Sequence, residues 1–209
     1  MNIPECLVNL NKVGMEQLSL GHFKTTLKFL RTAEKLVSLV DGPSRIHKDD
    51  RCKLIALTLN NLGCYYKRAN KPNVALRYMK SALKSEERSG QPKSHIASTK
   101  LNICAILSLL HKHSEAIKFV DSAIYDLTDT LRLIKIQLIP NPHKKMKVLA
   151  QYNISAKLLD SVSEMTSKQS RSSLEQTLGV AYYNLAVEHE YCKEYEEAME
   201  AFRRSMQCV

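Results

Sequence analysis

Apolar residues recur at three-and-four spacing along nearly the whole chain, which is the period of an amphipathic helix and not the alternation of a strand. The pattern predicts about nine helices, at about 3–20, 22–40, 50–69, 72–88, 94–110, 113–137, 143–163, 172–191 and 194–208. Pro4 and Pro72 suit the first turn of a helix, where a missing N–H costs nothing. DGPSR at 41–45, SGQP at 89–92 and PNP at 140–142 interrupt the period with turn-forming residues. Most connections are short, so successive helices are expected to pack as antiparallel neighbours.

The small residues repeat. Val13-Gly14, Leu62-Gly63, Ile103-Cys104 and Leu185-Ala186 each pair an apolar residue with a small one. Thr26, Ala75, Ala116 and Ala198 stand at one fixed distance after them, and Ala33, Ala82, Ala123 and Ser205 at a second. Small side chains at matching places let two helices close to about 8 Å. Larger residues fill the space around them: Leu59, Leu62 and Tyr66 with Leu76, Met79 and Leu83 in the second pair, and Tyr182, Leu185, Tyr195, Met199 and Phe202 in the last. Tyr65 and Tyr183 belong with these packing residues, and all are expected in the core.

LNNLGCYYKRANKPNVALRYMKSAL and YNLAVEHEYCKEYEEAMEAFRRSM resemble the tetratricopeptide repeat, a helix-turn-helix unit with Leu-Gly or Leu-Ala, an aromatic, Ala, Phe or Tyr, and Ala at set positions. Leu62, Gly63, Tyr66, Ala75 and Ala82 carry the first match; Leu185, Ala186, Tyr195, Ala198 and Phe202 carry the second. KVGMEQLSLGHFKTTLKFLRTAE and NICAILSLLHKHSEAIKFVDSAI are weaker copies in the same phase. The resemblance implies an all-α fold, with antiparallel helix-turn-helix repeats stacked in a right-handed superhelix. It implies one array over 1–209, with repeats at about 7–40, 56–89, 97–130 and 179–209.

This chain departs from the family in three ways. Gly14, Gly63, Cys104 and Ala186 lie 49, 41 and 82 residues apart, against a usual period of about 34; such extended repeats resemble those of kinesin light chain and of cortical polarity adaptors. Glu87 stands where the family's closing Pro is expected. Residues 131–171 form an irregular helical insert, in which a helix at 143–163 either leads into an extended link over Ser163–Ser173 or packs outside the regular alternation.

Composition and charge narrow the function. With 209 residues and 44% hydrophobic content the chain can bury a sizeable core, and six Gly, six Pro and no Trp leave few turns for a many-stranded fold. A formal net charge of +10 points either to an acidic partner or simply to a well-solvated cationic surface. The six cysteines form no C-x-x-C pair, which suits reduced, buried thiols in the cytoplasm. The N-terminus lacks the layout of a signal peptide, and no apolar run approaches the roughly 18 residues of a membrane helix. The sequon Asn153-Ile154-Ser155 is therefore expected to be unused.

Groove-binding members of the family often carry Asn at the sixth position of the first helix, where the amide pairs with both donor and acceptor of an extended backbone. That position here holds Asn61, Asn102 and Asn184, with Asn153 in the insert helix; the first copy has Lys12, with Asn11 beside it. Lys67 and Arg68 fall near the groove's edge and complete the expected peptide-binding set. The alternative is that each Asn caps or bridges neighbouring helices. The basic pair of positions that clamps a chaperone's terminal carboxylate is not formed: the first copy offers Asn11 and Met15, the third Ser98 and Asn102. PHKKMK at 142–147 is the densest cation cluster; a solvated loop-to-helix junction is the expected reading, and contact with phosphate or with acidic, tubulin-like tails is the alternative.

There is no Gly-rich phosphate loop, G-x-S-x-G or H-E-x-x-H, and HKH at 111–113 lies at a turn without further ligands. No enzyme activity, cofactor or metal is expected. The sequence reads as a cytoplasmic adaptor for an acidic protein segment, of a kind that works in cytoskeletal or ciliary assemblies. RNA binding by a helical-repeat surface and the scaffold part of a longer enzyme are the rival readings.

Overall fold

The computed structural model describes residues 3–39 and 48–208. Every regular element among them is helical: α1 Ile3–Ser19, α2 Phe23–Leu39, α3 Lys48–Arg68, α4 Pro72–Arg88, α5 Lys93–Leu109, α6 His113–Gln137, α7 Pro142–Gln151, α8 Ala156–Asp160, a 3₁₀ turn at Ser163–Met165, α9 Lys168–Tyr191 and α10 Tyr195–Gln207. The DGPSR interruption falls outside the described residues. No described helix is long and apolar enough to cross a membrane.

Four helix pairs turn in the same way. The residue that reverses the chain is Gly21, Asn70, His111 or Lys193, each in the left-handed region with φ of 79°, 55°, 55° and 64°. Each lies seven residues after the small residue of its repeat, at Gly14, Gly63, Cys104 or Ala186. The N–H that follows closes the helix end onto the carbonyl five residues back: His22 to Gln17, Lys71 to Tyr66, Lys112 to Leu107 and Glu194 to His189, all at 2.9 Å. Left-handed closure of this kind satisfies carbonyls that the last turn leaves open.

The small residues do what their spacing predicts. A Cβ on Gly14 would stand 2.9 Å from Leu30 Cδ2, and one on Gly63 only 2.7 Å from Met79 Cγ. Ala33, Ala75, Ala82, Ala116, Ala123 and Ala198 are buried at their helix contacts. Thr26 is buried too, and its hydroxyl donates to the His22 carbonyl.

The chain divides into two compact units, 1–91 with 102–112 and 92–101 with 113–209, so the boundary runs through α5. The first unit packs α1 against α2 and α3, and α3 against α4, around Leu7, Leu18, Leu30, Leu62 and Met79. The second packs α9 against α6 and α10, around Val120, Leu127, Leu178, Ala181 and Leu185.

The structure corrects the expected insert and part of the expected core. The segment read as one helix at 143–163 is α7, a break, α8 and the 3₁₀ turn, giving ten α-helices among the described residues. Asn153, at φ 51°, ends α7 by the same left-handed closure, with the Ile154 N–H bonding the Leu149 carbonyl. Ser155 then caps α8, its side chain accepting from the Leu158 N–H. Leu159 and Val162 are buried; Val162 joins Leu133 and Ile134, with Ile154, Met165 and Leu174 alongside. The chain thus crosses to α9 as short helical turns, and α9 starts at Lys168, where Ser167 caps it. Tyr183, Tyr195 and Met199, expected in the core, are exposed. Of the six thiols, Cys104 is buried and the other five are half-buried.

Candidate functional site

Where α1 meets α3, a chain of polar side chains runs through the first unit. Asn11 is 2% exposed, and its Nδ2 donates to the Leu7 carbonyl and to Thr58 Oγ1, both at 2.9 Å. Thr58 passes its own proton to the Leu54 carbonyl at 2.9 Å. Asn11 Oδ1 accepts from Asn61 Nδ2 at 2.9 Å. An amide buried this deeply must be satisfied, because an unpaired polar group there costs about 1–3 kcal/mol. Asn11 is therefore a brace between helices and does not line a surface, which corrects its place in the expected ladder. Asn61, half-buried, is the outward end of that brace. Its amide orientation is fixed from below, and its Oδ1 takes no hydrogen bond among the described residues.

The other expected residues fall into place around it or apart from it. Asn102 on α5 is half-buried and in the same unit. Asn184 is half-buried on α9, in the second unit. Asn153 is an exposed turn residue, not part of a first helix, because its left-handed backbone ends α7. Lys12 is exposed beside Asn11, and Lys67 is partly exposed. Arg68 is committed elsewhere: its Nη1 donates to the Leu18 carbonyl at 2.7 Å, placing a cation at the C-terminal end of α1, where the helix dipole favours one. Leu57 and Leu109 are exposed on the faces that carry Asn61 and Asn102, one and two turns away.

Sequence reasoning missed a second polar cluster, beside this one. Arg31 Nη1 donates to Glu34 Oε2 at 2.6 Å and to the Tyr78 hydroxyl at 2.9 Å, while its Nη2 donates to the Tyr66 hydroxyl at 2.7 Å. Tyr66 and Tyr78 stack at 5.4 Å, with the guanidinium 5.9 Å from each ring. The hydrogen bond to Glu34 holds Arg31 well above its ordinary value, and burial pushes the Tyr78 phenol up. Tyr66 is the repeat's aromatic position, so packing was legible there. Its hydroxyl partner, 35 residues away, was not.

In the second unit several carboxylates are occupied internally. Asp126 pairs with Lys100, which also donates to Ser122 Oγ. Asp129 accepts from Lys93 and Arg132, both at 2.7 Å. His113 Nδ1 lies 2.7 Å from Glu188 Oε2, and its ring stacks on Tyr191 at 4.4 Å. His111 and His113 are thus split between a turn residue and a helix-start residue held by a carboxylate, and no group of three potential metal ligands forms among the described residues. In the first unit Lys12, Lys71 and Lys112 are exposed.

Residues 55–90, which span most of α3 and α4, match the family model for the tetratricopeptide repeat. Within this chain, residues 55–90 carry a tetratricopeptide repeat. Solved structures extend the likeness of fold along its length. BtubC (BKLC) from P. vanneervenii aligns with a TM-score of 0.51 at 16% identity, over 99% of this chain and 80% of that one. The kinesin-light-chain TPR-like repeats of Podosopora anserina align with a TM-score of 0.51 at 12% identity, over 100% and 97%. Aspartyl phosphate phosphatase F from Bacillus subtilis aligns with a TM-score of 0.52 at 13% identity, over 100% and 61%. No curated protein matches the sequence. Tetratricopeptide repeats present helical faces to other proteins.

Proposed function

We propose that this tetratricopeptide-repeat chain is a non-catalytic adaptor whose first unit holds an extended, acidic peptide segment along the face carrying Asn61 and Asn102. The carrying observation is the brace: Asn11 fixes Asn61 from below and leaves its carbonyl oxygen open on the surface. A side-chain amide held in one orientation suits an extended backbone, since little further entropy is lost when it pairs. Leu57 and Leu109 supply apolar contact beside the amides, and Lys12 and Lys67 supply positive charge at the edge. Asn184 offers an equivalent amide in the second unit. The likeness to kinesin-light-chain repeats makes cytoskeletal and ciliary assemblies in the cytoplasm the first place to seek the partner.

A fluorescence titration tests this, with acidic and neutral peptides and a single-stranded RNA as probes at two salt concentrations. Acidic peptides should bind best, and an Asn61→Ala, Asn102→Ala double variant of unchanged helicity should bind about 10-fold more weakly. Equal binding by that folded variant, or RNA preference with a steep salt slope, sinks the reading.

A further inference from the structure

The outer face of α10 is apolar and open. Tyr195, Met199 and Met206 are 62%, 64% and 73% exposed. With Phe202 they recur at spacings of four, three and four, which places them in one stripe about 60° wide. A different side of the helix packs on α9: Ala198 and Ala201 are buried, and Ser205 Oγ donates to the Gly179 carbonyl at 2.8 Å. Phe202 stands edge-on to Tyr183 at 5.7 Å, and exposed Tyr183 and Val180 continue the apolar surface onto α9. Large apolar residues gathered this way mark an interaction surface, whereas scattered ones need no explanation.

The order of the side chains selects the occupant. A spacing of four, three and four reads the same in both directions, so the stripe is complementary to itself when reversed. Its solvent-side flank carries Glu196 near the start of the helix and Arg203 near the end. Two copies laid antiparallel would set residue 195 against 206 and 199 against 202, with Glu196 of each copy opposite Arg203 of the other. Glu200, near the middle, already accepts from Arg203 at 2.8 Å and Arg204 at 2.9 Å, so its charge is offset where the two-fold axis would pass. We propose that the α9–α10 face is a homodimer interface, closed antiparallel through Tyr195, Met199, Phe202 and Met206. Tyr183 and Val180 would then meet their counterparts beside α10, making a four-helix layer.

Sedimentation equilibrium of the full chain under reducing conditions tests this. The expected mass at about 100 µM is twice the 23.8 kDa of the chain. Met199→Glu places a charge in the centre of the stripe at a position the monomer leaves exposed. It should weaken dimerisation about 100-fold with unchanged helicity. Glu196→Arg and Arg203→Glu should each weaken self-association, and an equal mixture of these two single variants should recover a heterodimer, since every facing pair is then opposite in charge. A monomeric wild type at about 100 µM, a dimer indifferent to Met199→Glu, or a mixture with no heterodimer preference overturns the proposal. The first of these outcomes would assign the face to a different protein.

Discussion

Lys193 occupies a backbone position that disfavours its own side chain. A residue with a Cβ pays about 1–2 kcal/mol for the left-handed region, which Gly avoids and Asn partly relieves. Gly21, Asn70, His111 and Lys193 share that conformation at the equivalent turn of four repeats. Lys193→Gly is therefore expected to stabilise the chain by about 0.5–1 kcal/mol, the strain relief being partly offset by the extra freedom Gly gives the unfolded chain. A lower urea midpoint in this variant would count against the turn assignment. The two asparagines of the brace should separate in the same assay. Asn11→Ala leaves Thr58 and Asn61 without their buried partner and should cost about 1–3 kcal/mol. Asn61→Ala removes a half-buried end and should cost under about 1 kcal/mol while weakening peptide binding. If both cost the same, Asn61 is as structural as Asn11. The asparagines recur visibly in the sequence, but their division into brace and open end depends on Thr58 and the α1–α3 approach, which no local pattern states. The turn residue was hidden for a related reason: the backbone conformation is conserved between repeats while its occupant changes from Gly to Asn, His and Lys.

At the scale of elements, the spacing of small residues was the most informative signal, because it reports directly how near two helices come. Gly63 shows this most sharply, with Met79 Cγ, Sδ and Cε all within 2.9 Å of where a Cβ would sit. Gly63→Ala gains about 1 kcal/mol of helix propensity and loses about 1–3 kcal/mol to overpacking, so a small net loss is expected. Gly63→Val adds two further methyl groups beyond the Ala Cβ to a contact that is already full, and has poorer propensity than Ala. It should cost more than about 3 kcal/mol and loosen the α3–α4 pair. Urea unfolding followed by circular dichroism checks the order, and equal stability of the two variants would contradict the close approach. Helix boundaries at α3, α4 and α6 were legible within about two residues, since Pro72 and the 111–113 turn mark them chemically. The break between α7 and α8 was not. Its residues, Tyr152-Asn153-Ile154-Ser155, sit inside an unbroken helical period, and tertiary burial of Leu159 and Val162 selects the break. Tyr195 and Met199 erred the other way: the pattern shows that a residue lies on an apolar stripe, and only the structure shows whether anything covers it.

At the scale of the whole molecule, charge sets how the fold responds to acid. Burial alone would push the Asp129 carboxyl up, but hydrogen bonds and charge from Lys93 and Arg132 outweigh it and hold the group below the usual aspartate range. Its folded value lies below its unfolded one, so the stabilisation is fully present above about pH 4 and disappears as the pH falls through the lowered value. Asp121 works in the opposite sense. Although Asp121 is exposed, partial desolvation at the helix surface raises its carboxyl and the His189 charge only partly counters this, so it weakens the fold slightly at neutral pH and less so in acid. Around both, protonation of 21 carboxylates leaves 31 Lys and Arg side chains unopposed, and their mutual repulsion adds to the loss. The thermal midpoint is therefore expected to stay nearly flat from pH 7 to about pH 5 and then to fall steeply below about pH 4. Asp129→Asn should lower the neutral plateau and make the acid limb shallower, whereas Asp121→Asn should raise the plateau. Adding salt at pH 3 should recover part of the loss in the wild type, because screening reduces the general repulsion. It should not restore the Asp129 contribution, which requires an ionised carboxylate. Full recovery by salt would assign the acid sensitivity to net charge alone and remove the Lys93–Asp129–Arg132 cluster from the account.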